Sequence, residues 1–248
     1  IDTRFEQLGI IIPIGKSRLA IDARGFYSDN MLYAEEENID STMFRYYAAD
    51  IALNYAYDFQ GKLQAGVNLD ILMSEAGDYA QTGAVFDMGL IYRPVDKLYT
   101  SLALKGLGVN LKYIDENYQP MRITLGASYS VNELMLSLDG SYFPTDNHLV
   151  EAGTGIEYSI NNLLFLRAGY LFSTGNMNFL DNVRGGMGLN MGPSQIHYSA
   201  SYHSELGLIH NIGLIFDFSS INRRRKEKEE KLYLEMEKRL EDKEKMMS

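Results

Sequence analysis

The sequence predicts an all-β fold, an antiparallel transmembrane β-barrel, and three observations carry that prediction. Short turns alternate with longer polar stretches along most of the chain. Apolar and polar residues alternate with period two in segment after segment. Tyrosine, present 18 times in a chain without Trp, recurs near the ends of those segments. Barrels of bacterial outer membranes join their strands by short turns on one side and longer loops on the other. They also carry aromatic girdles where the wall meets the head groups.

Strict period-two alternation marks a pleated strand with two unlike faces. On that pattern thirteen strands are expected, at about residues 4–13, 17–27, 43–58, 62–73, 82–92, 97–108, 120–130, 134–143, 149–159, 163–172, 181–191, 195–203 and 208–218. In the third, Tyr47, Ala49, Ile51, Leu53, Tyr55 and Tyr57 share a face, opposed by Ala48, Asp50, Ala52, Asn54, Ala56 and Asp58. Met121, Ile123, Leu125, Ala127 and Tyr129 oppose Arg122, Thr124, Gly126, Ser128 and Ser130. Ile196, Tyr198, Ala200 and Tyr202 oppose Gln195, His197, Ser199 and Ser201, and Ile212, Leu214, Phe216 and Phe218 oppose Asn211, Gly213 and Asp217. A membrane barrel turns the aliphatic face to lipid and the small, polar face inward.

The short links are Ile14-Gly15-Lys16, Phe59-Gln60-Gly61, Pro94-Val95-Asp96, Val131-Asn132-Glu133, Ile160-Asn161-Asn162 and Gly192-Pro193-Ser194. Longer loops are expected at about Ser28–Thr42, Ser74–Gln81, Asn110–Gln119, Pro144–His148 and Ser173–Phe179. Thirteen strands leave the first and last running the same way, whereas a closed antiparallel barrel needs opposed neighbours. One further strand before Ile1, fourteen in the full chain, is the simplest remedy; a different hairpin count is the alternative.

The barrel is expected to span residues 1–220 and a charged α-helical tail residues 221–248. No Gly or Pro occurs after Phe218, and Leu232, Met236 and Leu240 share one helical face. The tail holds ten Lys/Arg against eight Asp/Glu, a net +2; the chain total is −10, so residues 1–220 carry −12. An acidic barrel argues against nucleic acid as a partner. Barrel polarity places the tail in the periplasm. Arg223, Arg224 and Arg225 there suit anionic head groups, and the apolar stripe suits a protein partner.

Bulk numbers fit this fold class without selecting it. Charged residues make up 23% and the mean hydropathy is −0.21. Barrel strands present only every second residue to lipid, which dilutes the hydropathy signal. No apolar run reaches the ~18 residues of a transmembrane helix. Without Cys there is neither a disulfide nor a thiolate metal site.

Taken together, several segments resemble the PorV/PorQ-like outer-membrane proteins, which are similar in fold to FadL-type transporters. The likeness lies in Ala49-Asp50-Ile51-Ala52-Leu53, Gly66-Val67-Asn68-Leu69, Asp87-Met88-Gly89-Leu90-Ile91-Tyr92, Leu102-Ala103-Leu104-Lys105-Gly106-Leu107-Gly108, Leu125-Gly126-Ala127-Ser128-Tyr129, Gly155-Ile156-Glu157-Tyr158 and Leu166-Arg167-Ala168-Gly169-Tyr170. It spans about residues 45–218. The Gly/Ala-rich opening and Asn-Pro-Ala-Gly signature of that family are missing, which implies an N-terminal truncation. The resemblance implies a non-enzymatic outer-membrane protein serving either transport of hydrophobic compounds or type IX protein secretion. An anchor or scaffold whose loops and tail recruit protein partners is the competing class.

Candidate lumen-lining residues are Asp50, Asn54, Asp58, Asn68, Asp70, Asp87, Lys105, Arg122, Asp139, Glu157, Arg167, Arg184 and Asp217. In a wet lumen such charges tune selectivity; as a paired network they plug a narrow barrel. Of the four histidines, His148, His197, His203 and His210, His203 with its neighbours Ser201 and Ser204 is the set to weigh as a hydrolytic pair. Ser201 and His203 stand about 7 Å apart on an extended strand, too far for a nucleophile and its base. The sequence therefore predicts no enzyme, cofactor or zinc site. Glu35–Glu37 and Asp40 are at most weak cation ligands. Gly153-x-Gly155 and Gly185-Gly186-x-Gly188 lie inside alternating strands, where a phosphate loop has no helix to open.

Overall fold

The computed structural model describes residues 3–28, 31–33, 42–77, 79–109, 111–112, 116–117, 121–145, 148–174, 179–204 and 207–218. Its strands are β1 (Thr3–Ile14), β2 (Ser17–Ser28), β3 (Met31–Tyr33), β4 (Thr42–Phe44), β5 (Tyr46–Phe59), β6 (Leu63–Ala76), β7 (Tyr79–Val95), β8 (Leu98–Val109), β9 (Leu111–Lys112) and β10 (Glu116–Asn117). They continue as β11 (Arg122–Val131), β12 (Leu134–Phe143), β13 (Leu149–Ile160), β14 (Leu164–Ser173), β15 (Val183–Asn190), β16 (Ser194–His203) and β17 (Gly207–Phe216). Thirteen of them form one sheet in the order β1-β2-β5-β6-β7-β8-β11-β12-β13-β14-β15-β16-β17. The short hairpins β3–β4 and β9–β10 stand outside it. The sheet's thirteen strands are the thirteen read from alternation.

Several boundaries differ from the sequence reading. Ser74–Gln81, expected as a long loop, is mostly strand: β6 and β7 pair out to Ala76↔Tyr79, with Gly77 at φ 60° in the link. Its Ser, Glu and Gln have low strand propensity, but cross-strand pairing overrides that preference. The expected loops at 28–42 and 110–119 contain the two short hairpins. Phe179–Asn182 is a 3₁₀ turn, so β15 begins at Val183. β7 runs on to Val95, past the expected turn at Pro94, through a register shift between Tyr92 and Val95. Proline has no N–H to give a ladder, and an irregularity accommodates it. The final strand ends at Phe216. Asp217, expected on that strand's polar face, lies one residue beyond it and its N–H donates to Pro193 O at 2.7 Å. The tail, with Arg223, Arg224, Arg225, Leu232, Met236 and Leu240, lies outside the described residues, as do Glu35–Glu37 and Asp40.

The turns follow from local chemistry. Gly15 opens the two-residue loop between Ile14 and Ser17 at φ 60°, a left-handed value that costs glycine little. Asn132, Asn161 and Asn162 occupy φ 52–54° in the other tight turns, a region asparagine tolerates better than most residues. Asp58 Oδ1 accepts the Gly61 N–H at 2.6 Å, so this candidate lumen residue serves as a turn cap.

The described residues divide into two compact units. One lies within Ile1–Val131, Met135–Thr154 and Leu171–Met177, the other within Asn132–Leu134, Gly155–Tyr170 and Asn178–Ser248. Burial in the first inverts that of a water-soluble protein. Among its most covered residues are Ala52 (2%), Val85 (3%), Ser28 (6%), Asp70 (6%) and Ser141 (7%). Its open face carries Ile51, Leu53, Tyr55, Val67, Leu69, Ile71 and Leu125. The second unit likewise exposes Ile156, Leu166, Met187, Ile212, Leu214 and Phe216. A soluble domain exposes scattered apolar residues, not whole faces of several strands. Exposed tyrosines stand close to strand ends, among them Tyr47, Tyr55, Tyr92, Tyr129, Tyr142, Tyr158 and Tyr202.

Candidate functional site: the polar face of the sheet

In the first unit the register aligns polar side chains across strands. Asp22, Ala52, Asp70 and Val85 form one cross-strand row, and Ala20, Asn54, Asn68 and Asp87 the next. Arg24, on β2, pairs with Asp50 in a third row and ties that row to the first. Its Nε donates to Asp50 Oδ2 at 2.7 Å and its Nη2 to Asp70 Oδ1 at 3.2 Å. Asn68 Nδ2 then donates to Asp70 Oδ2 at 2.7 Å and Asp87 Oδ2 at 3.3 Å. Asn54 Nδ2 donates to Asp22 Oδ2 at 2.7 Å. One guanidinium thus serves two carboxylates, and amide donors serve the rest. Unpaired charge at such covered positions is costly, and hydrogen bonds offset the cost.

Asp87 also shapes the wall. The β7–β8 register shifts between Phe86↔Leu107 and Met88↔Leu104, leaving Lys105 and Gly106 opposite Asp87. Gly106 adopts φ 75° and donates its N–H to Asp87 Oδ1 at 2.8 Å. This is a β-bulge with glycine in the left-handed position, locked by a carboxylate. Such a bulge bends a strand and re-aims its side chains.

These residues line a cavity of about 1040 Å³, to which Asp22, Arg24, Asp50, Asn54, Asn68, Asp70, Asp87, Lys105 and Arg122 contribute, with Ala52, Val85, Leu102 and Phe143. The structure therefore brings Asp50, Asn54, Asn68, Asp70, Asp87, Lys105 and Arg122 together around one space. Asp139 belongs to the same unit but not to that lining; its carboxylate lies over Gly153, where an added Cβ would fall 2.5 Å from Oδ1. The linchpin Arg24 and its neighbour Asp22 were not among the candidates. The alternation Arg18, Ala20, Asp22, Arg24 against Leu19, Ile21, Ala23 in β2 places them on the polar face.

The second unit holds a separate cluster. Arg167 Nε donates to Glu157 Oε2 at 2.6 Å, and Arg167 Nη1 lies 3.0 Å from His197 Nδ1. A guanidinium only donates, so Nδ1 is the acceptor and the imidazole proton sits on Nε2, facing Gln195 Oε1 at 3.2 Å. The Arg167 Cζ lies 5.7 Å from the Phe165 ring centroid. Arg184 stands apart from this cluster, opposite Gly169 and Ser201. Ser204 clasps Asp181 instead of supplying a nucleophile: its N–H reaches Oδ1 at 2.6 Å and its Oγ reaches Oδ2 at 2.8 Å. Among the described residues no His, Asp or Glu cluster is arranged to hold a metal ion.

No protein-family model and no curated protein matches the chain. Solved structures do. The Pseudomonas putida toluene transporter TodX is 14% identical, with TM-score 0.64 over 84% of this chain and 80% of that one. The monoaromatic hydrocarbon channel CymD is 12% identical, with TM-score 0.59 over 86% and 83%. A Pseudomonas aeruginosa FadL homologue is 12% identical, with TM-score 0.55 over 84% and 75%. These structures correspond to the FadL side of the resemblance; none of them is a PorV or PorQ protein. The chain thus has the fold of the FadL-type β-barrels.

Proposed function

We propose that this chain forms the wall of a bacterial outer-membrane channel that passes hydrophobic small molecules and catalyses no reaction. The observation that carries the reading is the inverted sheet: aliphatic residues cover one face while Asp70 and its partners are sheltered on the other. In lipid, that open face removes apolar surface from water at roughly 25 cal/mol per Å². The FadL-type fold, shared with a toluene transporter and a hydrocarbon channel, supports a transport role over an enzymatic one. In this reading Asp50, Asn54, Asp87, Lys105 and Arg122 line the lumen of the first unit, Glu157, Arg167 and Arg184 that of the second. The secretion role implied by the PorV/PorQ resemblance has no counterpart among these similar structures.

Expression in a Gram-negative host lacking hydrocarbon channels tests the proposal. The chain is expected in the outer-membrane fraction, and labelled toluene is expected to accumulate faster than in vector controls. Recovery from the soluble fraction, or unchanged accumulation, contradicts it.

The composition of residues 221–248 supports a second role beside the first: a periplasmic appendage that meets anionic lipid through Arg223, Arg224 and Arg225, or a protein through Leu232, Met236 and Leu240. Deleting 226–248 is expected to leave a folded barrel in the membrane; a misfolded barrel contradicts the division at residue 220.

A further inference from the structure

In the first unit three neighbouring hairpins, β1–β2, β5–β6 and β7–β8, turn at the same edge of the sheet. Their turns are residues 14–17, 58–63 and 93–98. Lys16, Lys62 and Lys97 stand in them, all exposed, and Arg93 stands where β7 enters the last. Asp58 and Asp96 are the acids of these turns. Four cations against two carboxylates leave a net +2, within residues 1–220, whose total is −12. The tight turns Asn132-Glu133, Asn161-Asn162 and Gly192-Pro193 hold no Lys or Arg. The connection from β2 to β5 leaves by the opposite edge. Its residues 29–41 include Asp29, Glu35, Glu36, Glu37 and Asp40 and no Lys or Arg.

Turn geometry does not require these lysines, because Gly15, Gln60 and Gly61 take the left-handed positions. Backbone hydrogen bonds hold the turns in a row. Lys16 O accepts the Asp58 N–H at 3.0 Å, and Lys62 O accepts the Arg93 N–H at 2.7 Å. Turns two strands apart are spaced by about 10 Å. Arg93 Nη2 lies 3.9 Å from the place a Gly61 Cβ would take, so its guanidinium reaches over the β5–β6 turn. Each cation also borders the exposed apolar face. Ile14 precedes Lys16, Phe59 and Leu63 bracket Lys62, Tyr92 and Val95 bracket Arg93, and Tyr99 follows Lys97; all six are exposed. A long cationic side chain at such a border lays its stem on apolar surface and keeps its charge in the polar layer.

We propose that this rim binds the head groups of anionic phospholipid, with Lys16, Lys62, Arg93 and Lys97 acting as one row. Charge and position together select that partner. Anionic lipid attracts cations at the membrane boundary, and a row of cations at the end of an apolar face meets the head groups of the leaflet in which that face ends. Short turns of outer-membrane barrels face the periplasm, so the lipid belongs to the inner leaflet. This rests on the membrane-wall reading and adds to it a lipid preference confined to one rim.

The test is electron spin resonance of the full chain reconstituted in phosphatidylcholine bilayers with trace spin-labelled lipid, either phosphatidylglycerol or phosphatidylcholine. Lipid held at the wall gives a motionally restricted signal, and its share measures preference. One cation near an anionic head group is worth about fivefold; diluted over the lipid around the rest of the wall, an overall preference of about twofold for phosphatidylglycerol is expected. It is expected to fall as salt rises from about 20 mM to about 500 mM. Lys16→Gln, Lys62→Gln and Lys97→Gln together are expected to remove most of it, and Asp96→Asn to raise it. Arg223→Gln, Arg224→Gln and Arg225→Gln together are expected to leave most of it. No preference in wild type, one unmoved by the lysine substitutions or by salt, or one lost with the tail arginines alone overturns the proposal. Saturable binding of soluble poly-glutamate that is lost in the triple lysine variant, without any lipid preference, assigns the rim to an acidic polypeptide and overturns the lipid assignment. If the triple variant does not fold, judged by heat-modifiable gel mobility, the salt series and Asp96→Asn decide. A chain that does not insert contradicts the wall reading itself; a chain that inserts without preference contradicts the rim alone.

Discussion

Replacing Leu53 with Arg places a charge on the open face of β5 and separates a membrane wall from a water-exposed sheet. Leu53 is the eighth of the fourteen residues of Tyr46–Phe59. At ~3.4 Å per residue the strand is roughly 44 Å long. Tilted by about 40°, it covers roughly 34 Å along the membrane normal, more than the ~25 Å apolar band. Leu53 then lies within a few ångström of the midplane. Its side chain is 48% exposed and flanked in register by Ile21 and Leu69, both exposed themselves. An arginine at the bilayer midplane of a barrel costs about 2–4 kcal/mol, a factor of roughly 30 to 800 in the folding equilibrium. On a water-exposed sheet the same change stays within about 0.5 kcal/mol. Urea titration of folding into phosphatidylcholine vesicles, followed by heat-modifiable gel mobility, measures the difference. Asn54→Arg, one residue along and on the polar face, is the internal control and is expected to cost less than about 1 kcal/mol. Equal effects at the two positions, or a neutral Leu53→Arg, would refute the assignment of faces.

Arg24→Ala strands Asp50 and Asp70 without their cation. Because the Arg24 side chain is 37% exposed, the cost is expected at about 1–3 kcal/mol rather than the 3–5 of a fully buried pair. In the same titration Asp50→Asn with Asp70→Asn is expected to recover most of the loss; an unchanged cost in that background contradicts the network. Gly153→Val drives a side chain into the Asp139 carboxylate and is expected to cost about 1–3 kcal/mol by overpacking. Asp139→Gly in the same chain is expected to relieve it, and strictly additive effects in a double-mutant cycle count against the close approach.

Strand existence was legible because alternation survives in single strands: Ile51, Leu53 and Tyr55 against Asp50, Ala52 and Asn54 need no partner to be recognised. The misreadings arose where pairing decides. Ser74, Glu75 and Gln81 read as loop residues, yet β6 and β7 pair through them as Ser74↔Gln81 and Glu75↔Ala80. Asp58 and Asp217 have the right parity for the polar face, but each falls at a strand end, where the backbone of a turn takes precedence. The polar network was half legible. Alternation alone puts Asp50, Asn68, Asp70 and Asp87 on one face. That Arg24 bridges Asp50 and Asp70 depends on the registers of β2, β5 and β6 together. That Lys105 and Arg122 face each other is hidden more deeply still, because the bulge at Gly106 shifts β8 against β7 before β8 meets β11.

If the chain forms a membrane wall, one face of this sheet meets lipid and the other does not. The chain contains no Cys, so single cysteines introduced one at a time at positions 49–56 of β5 report without background. Each is labelled with a fluorophore in vesicles and quenched in turn by lipid-borne bromine and by aqueous iodide. Alternation is expected: positions 49, 51, 53 and 55 quenched from the lipid, positions 50, 52, 54 and 56 not. Uniform aqueous quenching, or lipid quenching at the even positions, would contradict it.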